Sequence, residues 1–384
     1  MSAEGSAAPL PQADGGSDGD EVIAEGSPDA LGQCTRNGRG AAGIRFARRL
    51  ADSPEIGIIA ALAVAVVVFT SINPLFLSIS DLQNPLGVDL AGFGILAIGE
   101  SFVIITGGID LSVGSLAAFF VVFSALLNVN DHIPVTLVFA LTLLTGAAWG
   151  AWHAFWITRL GVAPFVITLV TFIFAAGADE ALAPNPIPIS SPPFLALVGS
   201  SVAGFPIAVV IFAAIAVLAW FFLERTYFGR QVYAVGGSKE AARLAGIPTD
   251  RRIFLAYIVS GTCAAAVGLI EASRFTSGTA DSVTGYELIA IASAVIGGVS
   301  LIGGQGRIIG VVSGAALLVA LRDGLVTVNV NAYYQSMVVG FVLFVAVVLD
   351  ASRFRRRGRA AARIGLAGGA GKPRLRLPGR GAAS

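Results

Sequence analysis

The sequence predicts an all-α, polytopic membrane protein of about ten transmembrane helices, with broken or re-entrant helices and both termini cytoplasmic. Three observations carry that reading. The 384 residues are 55% hydrophobic and only 13% charged, with a mean hydropathy of +0.80, against roughly 25% charged in an ordinary soluble domain. Apolar runs of about 20 residues, the length that crosses a bilayer core of about 30 Å, recur along the chain. The basic residues divide between the two sides of those runs as membrane orientation demands.

The runs lie near 56–79, 86–106, 111–129, 134–157, 164–183, 205–223, 253–273, 285–302, 308–328 and 333–350. Together they make a body over residues 55–352. Before it, residues 1–54 are rich in Gly, Ala and Ser and change from acidic (Asp14, Asp18, Asp20, Glu21) to basic (Arg36, Arg39, Arg45, Arg48, Arg49). Such a segment cannot bury enough apolar surface to offset its ordering entropy, and disorder is expected. No basic stretch followed by an apolar core opens the chain, so a cleavable leader is not expected. After the body, residues 353–384 carry ten basic residues and no acid, a composition suited to anionic lipid headgroups.

Charge placement tests the count. With a cytoplasmic N-terminus, six spans precede the polar interruption at 224–252 and four follow it, so that loop and the tail share the inner side. All but Arg274 and Arg322 of the 25 Lys and Arg then lie inside. An odd number of spans before the loop would put it and one terminus on opposite sides.

Several chemistries are excluded or unsupported. The net charge of +1 gives no reason to expect nucleic acid. Cys34 and Cys263 have no neighbour at metal or redox spacing, and His132 and His153 are isolated, read as a loop and a helix-packing residue. The chain has no G-x-x-x-x-G-K-[ST] loop; "GGQGRIIG" (303–310) has the glycines without the lysine. G-x-S-x-G and H-E-x-x-H are also missing, so an enzyme reading has no nucleophile or metal to start from.

The central loop holds "KEAARLAGI", preceded by Gly236 and Gly237 and followed by Pro248. Ser238 is suited to cap a short helix there, and Glu240 falls in its first turn, where the helix dipole favours a carboxylate. A solvated loop helix and a helix that docks in a partner's groove fit the spacing equally.

This E-A-A-x-x-x-G loop resembles the coupling loop of ABC-transporter membrane subunits, and residues 56–352 resemble the ribose-type sugar permeases of that superfamily. The resemblance rests on "GESFVIITGGIDLSVGSLAAF" (99–119), "GRQVYAVGGSKEAARLAGI" (229–247), "GYELIAIASAVIGGVSLIGGQGRIIG" (285–310) and "YYQSMVVGFVLFVAVVLD" (333–350). It implies a permease subunit in the bacterial cell membrane, paired with a second permease subunit as a homodimer or heterodimer. A cytoplasmic ABC ATPase would use ATP and Mg, with no cofactor in this chain, and an extracytoplasmic sugar-binding protein would deliver a monosaccharide. The coupling element would comprise Gly236, Gly237, Ser238, Glu240, Ala241, Ala242, Arg243 and Gly246. Glu240 and Arg243 would contact the ATPase, and Gly246 would end the helix. An ion-coupled secondary transporter is the alternative, though it would not need such a loop.

One feature remains within the apolar body. "IITGGIDLSVGS" (104–115) places Gly107, Gly108 and Asp110 between two spans, and "GGVSLIGG" repeats the pattern with Gly297, Gly298 and Ser300, offset by 190 residues. In both copies the glycines loosen one helix and the following residues restart another, with Asp110 and Ser300 in equivalent places. Three roles compete for Asp110: capping the restarted helix through amides near Ser112 and Val113, binding sugar hydroxyls, or relaying a proton with Glu100. Thr106, Ser112 and Ser115 divide between packing and lining the path. Trp149, Trp152 and Trp156 read as a packing or interfacial stripe. Near the outer face, Glu271, Arg274, Asp281 and Glu287 are candidates for docking the binding protein, set against a solvated Glu271–Arg274 pair of little energetic weight.

Overall fold

The computed structural model describes residues 54–78, 85–129, 133–331, 333–345 and 347–348. The expectations for residues 1–53, for the basic tail and for His132 fall outside them. Prolines mark several helix starts, as their fixed φ and missing N–H favour. Thus α1 (Pro54–Ile72), α2 (Pro85–Ile105), α5 (Pro164–Leu182) and the short α6 (Pro192–Gly199) all open on Pro. Between them lie α3 (Val113–Val129) and α4 (Val135–Arg159). α7 (Ile207–Trp220) runs on into a π-helical turn, Phe221–Arg225. The polar interruption folds as α8 (Tyr227–Gly237) and α9 (Lys239–Leu244). α10 (Thr249–Phe275), α11 (Tyr286–Ile296), α12 (Ile308–Thr327) and α13 (Tyr333–Val345) complete the order.

Among the described residues six helices are long and apolar enough to cross a membrane: α2, α4, α5, α7 with its π turn, α10 and α12. The shorter apolar helices α1, α3, α11 and α13 occupy the other four expected positions. The only strands among the described residues are two-residue ribbons, Ile187–Pro188 with Ser277–Gly278 and Ser201–Val202 with Phe205–Pro206. In a bilayer every backbone polar group must be satisfied within the protein, which is why helices dominate.

The core is organised around α2, whose side chains are enclosed over 94% of its spanning window, against 22% for α4 and α7. Phe93, Ile95, Leu96, Ile98 and Ile104 are fully buried around it. The peripheral helices turn Val170, Ile173, Val217 and Leu218 outward, the pattern of a lipid-facing surface. Without a hydrophobic drive between helices in lipid, close packing comes from small residues. On α4, a Cβ at Gly146 would collide with the Gly261 carbonyl, and one at Gly150 with that of Tyr257. Two glycines four apart therefore let α4 lie backbone to backbone on α10. The same helix carries Trp149, Trp152 and Trp156 as a ladder with ring centroids 5.6 and 5.9 Å apart, Trp152 half in the open.

Candidate functional site: a helix break and a docking helix

α2 ends where its sequence turns to glycine. Gly107 N–H donates to the Ile104 carbonyl (2.9 Å) and Gly108 N–H to that of Val103 (3.1 Å), with Gly107 at φ +88°. This is the paired closure that a left-handed residue makes at a helix end. The chain then returns into the bundle, and α3 starts beside the middle of α10. Asp110, fully buried, organises that restart. Its Oδ1 accepts from Ser112 N (3.0 Å) and Ser112 Oγ (2.6 Å), and its Oδ2 accepts from Ser260 Oγ of α10 (2.9 Å). Glu100, also fully buried on α2, accepts the Asp110 amide at Oε1 (3.1 Å).

Aromatic and hydroxyl groups close this polar knot. A Cβ at Gly108 would come within 2.5 Å of the Tyr257 hydroxyl, and Tyr257 stands edge-on to His153 with centroids 6.1 Å apart. His153 Nε2 shares a 2.8 Å hydrogen bond with Thr171 Oγ1, so this histidine packs helix against helix as expected. Glu100 Oε2, His153 Nδ1 and Tyr257 OH have no hydrogen-bond partner among the described residues. Asp110 and Glu100 are legible in the sequence at the break; Ser260, Tyr257 and the approach of the helix-packing His153 are not, because only the tertiary packing of α10 and α4 brings them there. Thr106 and Ser115 are buried and turn their hydroxyls to the backbone of Val103 and Ser112.

The second copy of the motif is shifted by one residue. α11 ends with Gly298 N–H on Val295 O (2.9 Å) and Val299 N–H on Ala294 O (3.0 Å), and Gly298 carries φ +88°. Gly107 therefore corresponds structurally to Gly298, and Asp110 to Leu301. Ser300 is not the counterpart of Asp110: its amide donates to the Gln305 carbonyl and its own carbonyl accepts from Gly303, inside a loop. The following helix, α12, is capped from elsewhere, its first amide (Ile308) donating to Glu224 Oε1 at 3.0 Å.

The two breaks meet at the α9 end of the bundle. Gly304 N–H donates to the Ile105 carbonyl (2.9 Å). A Cβ on Gly236, at the end of α8, would overlap that same carbonyl, and one on Gly303 would lie 3.1 Å from the Gly107 Cα. Three segments thus meet through backbone atoms: the end of α2, the end of α8 and the 303–306 loop. Tyr233 holds the loop through its hydroxyl on the Gly306 carbonyl (2.8 Å). Burial, reinforced by nearby Glu224, pushes the Tyr233 phenol up to about 12, so it stays a donor.

α9 follows directly. Ser238 Oγ accepts the Ala241 amide (3.2 Å), the cap its sequence predicts. Gly246 ends the turn at φ +78°, with Ile247 N–H on the Ala242 carbonyl (3.0 Å). Ala242 faces inward, while Lys239, Glu240, Ala241 and Arg243 are exposed. Leu244, which the sequence reading did not single out, is 90% exposed. Beside α9 lies an open groove of about 1070 Å³ between the ends of α4 and α10, lined by Phe155, Arg159, Lys239, Glu240, Arg243 and Arg251 among others.

At the opposite end the docking expectation needs correction. Glu271 is completely buried against Gly92 of α2, and Glu287 is only 7% exposed against Gly114 of α3, so neither can present its carboxylate to a separate protein. Arg274 is tied inward, hydrogen-bonded to Asp89 and 3.6 Å from Glu271 Oε2. Asp281 alone of the four is exposed. Arg322 lies over the Phe93 ring at 5.2 Å. The two cations excepted from the inner side therefore both sit against the first turns of α2, away from α9. Among the described residues no cluster of His, Cys, Asp and Glu is arranged to hold a metal.

Comparison with known proteins agrees with this architecture. Residues 88–347 match the family described as the permease component of branched-chain amino acid transport systems. The ribose import permease protein RbsC of Escherichia coli (strain K12) is 36% identical over 296 residues, 76% of this chain and 91% of that protein. The D-allose transport system permease protein AlsC of the same strain is 33% identical over 290 residues, 75% and 89% of the two chains. The galactose/methyl galactoside import permease protein MglC, also from that strain, is 33% identical over 324 residues, 79% and 96%. No solved structure matches the chain. The family match, these relatives and the spanning helices lead to one statement: the chain belongs to the branched-chain amino acid transport system permease family, as a ribose-type ABC transporter permease that crosses the inner membrane several times.

Proposed function

We propose that this chain is the membrane-spanning subunit of an ATP-binding cassette importer, forming the path for a monosaccharide of the ribose, allose or galactose kind delivered by a solute-binding protein. One observation carries the reading: a capped, glycine-ended helix that exposes Leu244 is joined through Gly236 to the backbone of α2 at its break. In this reading the ATPase partner grips α9 through Leu244, Glu240 and Arg243, and the groove beside it receives the partner's surface. Closure of the ATPase pair displaces α9. Backbone-on-backbone packing at Gly236, Gly304 and Ile105 has no flexible side chain to absorb the motion, so α2 and the Asp110 knot move with it. ATP and Mg act in the partner, and a second permease subunit completes the path. In this reading the chain crosses the membrane ten times with both termini cytoplasmic, so that α9 lies on the ATPase side.

A second reading has its own observation. Glu100, Asp110, His153 and Tyr257 form a buried titratable cluster inside the membrane, as an ion-coupled secondary transporter would use. Co-purification separates the two. The first reading expects a cognate ATPase to be retained by the chain in detergent, and Leu244→Asp with Glu240→Ala to release it. Retention unaffected by both changes would refute the role given to α9.

A further inference from the structure

Between the ribbon at Ser277–Gly278 and α11 lie seven residues without helix, Thr279, Ala280, Asp281, Ser282, Val283, Thr284 and Gly285. Their depth can be read from α3, against which both ends pack. Gly278 lies on Val121 and Ala125, near the outer part of α3. Glu287, one residue into α11, lies on Gly114 in the first turn of α3. From Ala125 to Gly114 the helix covers about 16 Å at 1.5 Å per residue. Gly114 in turn follows the Asp110 knot, which is bonded to Ser260, eleven residues into the 27-residue α10. The segment therefore descends from the end of the bundle opposite α9 to its interior, and α11 starts there rather than at the surface.

This descent is polar and open. Asp281 and Thr284 are exposed, Thr279 and Ser282 half-buried. The Asp281 amide is held by Asp179 Oδ2 of α5 (3.3 Å), and Thr284 Oγ1 donates to the Asp281 carbonyl (3.0 Å) and carboxylate. Two further groups have unused capacity: the enclosed Ser282 hydroxyl and Glu287 Oε2 have no hydrogen-bond partner among the described residues. Non-helical backbone at hydrocarbon depth is tolerated only where protein covers it or where it lines a water-filled cavity, and a carboxylate facing lipid is strongly disfavoured.

We propose that residues 279–287 line the solute path of the permease described above, with the exposed Asp281 and Thr284 hydrogen-bonding a neutral polyhydroxylated solute. The chemistry fits that class. The Thr284 hydroxyl and the Asp281 carboxylate offer both a donor and acceptors without a cation. Asp281 thereby faces the solute rather than a docking protein.

The test uses the full chain assembled with its ATPase and binding protein in proteoliposomes, with Cys34 and Cys263 replaced by Ser. Single Asp281→Cys, Thr284→Cys and, as a lipid-facing control, Val217→Cys are exposed to a membrane-impermeant methanethiosulfonate. The first two are expected to react at least tenfold faster than the control, and D-ribose, D-allose or D-galactose in excess slows one of them severalfold. Rates no faster than the control, in both variants, overturn the proposal. So does spontaneous disulfide linkage of two Asp281→Cys chains, which would place the segment in a subunit interface. Labelling needs no turnover, so the two readings fail separately: slow labelling with intact ATP-driven uptake sinks only the path assignment. Fast labelling without ATP-driven uptake keeps the path and sinks the importer.

Discussion

Replacing Asp110 separates architecture from charge at the helix break. Asp110→Ala removes the acceptor of three hydrogen bonds, from Ser112 N, Ser112 Oγ and Ser260 Oγ. Side-chain hydrogen bonds inside membrane bundles are worth about 0.6–1.7 kcal/mol each, and buried donors left without an acceptor cost more. The expected loss is therefore about 2–4 kcal/mol. Converted with the usual scaling for domains of this size, it lowers the melting midpoint of the purified permease in detergent by roughly 5–10 °C. Asp110→Asn keeps Oδ1 for both Ser112 donors, and its amide nitrogen can meet a reversed Ser260 hydroxyl. That variant should lose about 1 kcal/mol or less and retain uptake within about threefold. Thermal unfolding of the two variants, beside their uptake rates, decides the matter. An Asn variant with unchanged midpoint and no transport would refute the capping account and show that the negative charge itself is needed.

The other predictions concern the α9 end. Gly236→Val drives a side chain into the Ile105 carbonyl, so it should abolish uptake while ATPase binding to α9 persists; uptake near normal would mean that the stacked backbones transmit nothing. Gly150→Leu should destabilise the chain by more than about 3 kcal/mol by forcing α4 off α10, read as loss of the monodisperse peak in detergent. The Tyr233 phenol, raised from 10.0 to about 12, contributes stability that is fully present below pH 10 and is lost as pH rises towards 12. Melting midpoints should therefore fall more steeply above pH 10 in the native chain than in Tyr233→Phe, and parallel curves would contradict the buried hydrogen bond to Gly306.

What the sequence revealed, and what it hid, follows from the range of each interaction. Span positions depend on local hydropathy, so the six long helices fall where apolar runs predict them. The α9 cap depends on Ser238 and Gly246 alone, and both act as their types require. The pairing of Ser300 with Asp110 misled because glycine spacing was matched without the helix end, which closes on the second glycine in one copy and the first in the other. Glu271 looked like a surface acid because helical spacing to Arg274 says nothing of the helix in front of it. The missing Cβ of Gly92 leaves room there for a carboxylate. The re-entry of residues 279–285 is hidden for the converse reason: a short polar stretch reads as an external loop until the contacts of its flanking residues, Gly278 with Ala125 and Glu287 with Gly114, give its depth.

The central claim is that solute crosses this chain under the control of an ATPase gripping α9. Its most direct measurement is uptake of radiolabelled monosaccharide into proteoliposomes holding this chain, the ATPase and the binding protein. The account predicts accumulation that requires ATP inside reach of the ATPase, vanishes with Leu244→Asp and is indifferent to an imposed proton or sodium gradient. Uptake driven by such a gradient with no ATPase present would contradict it.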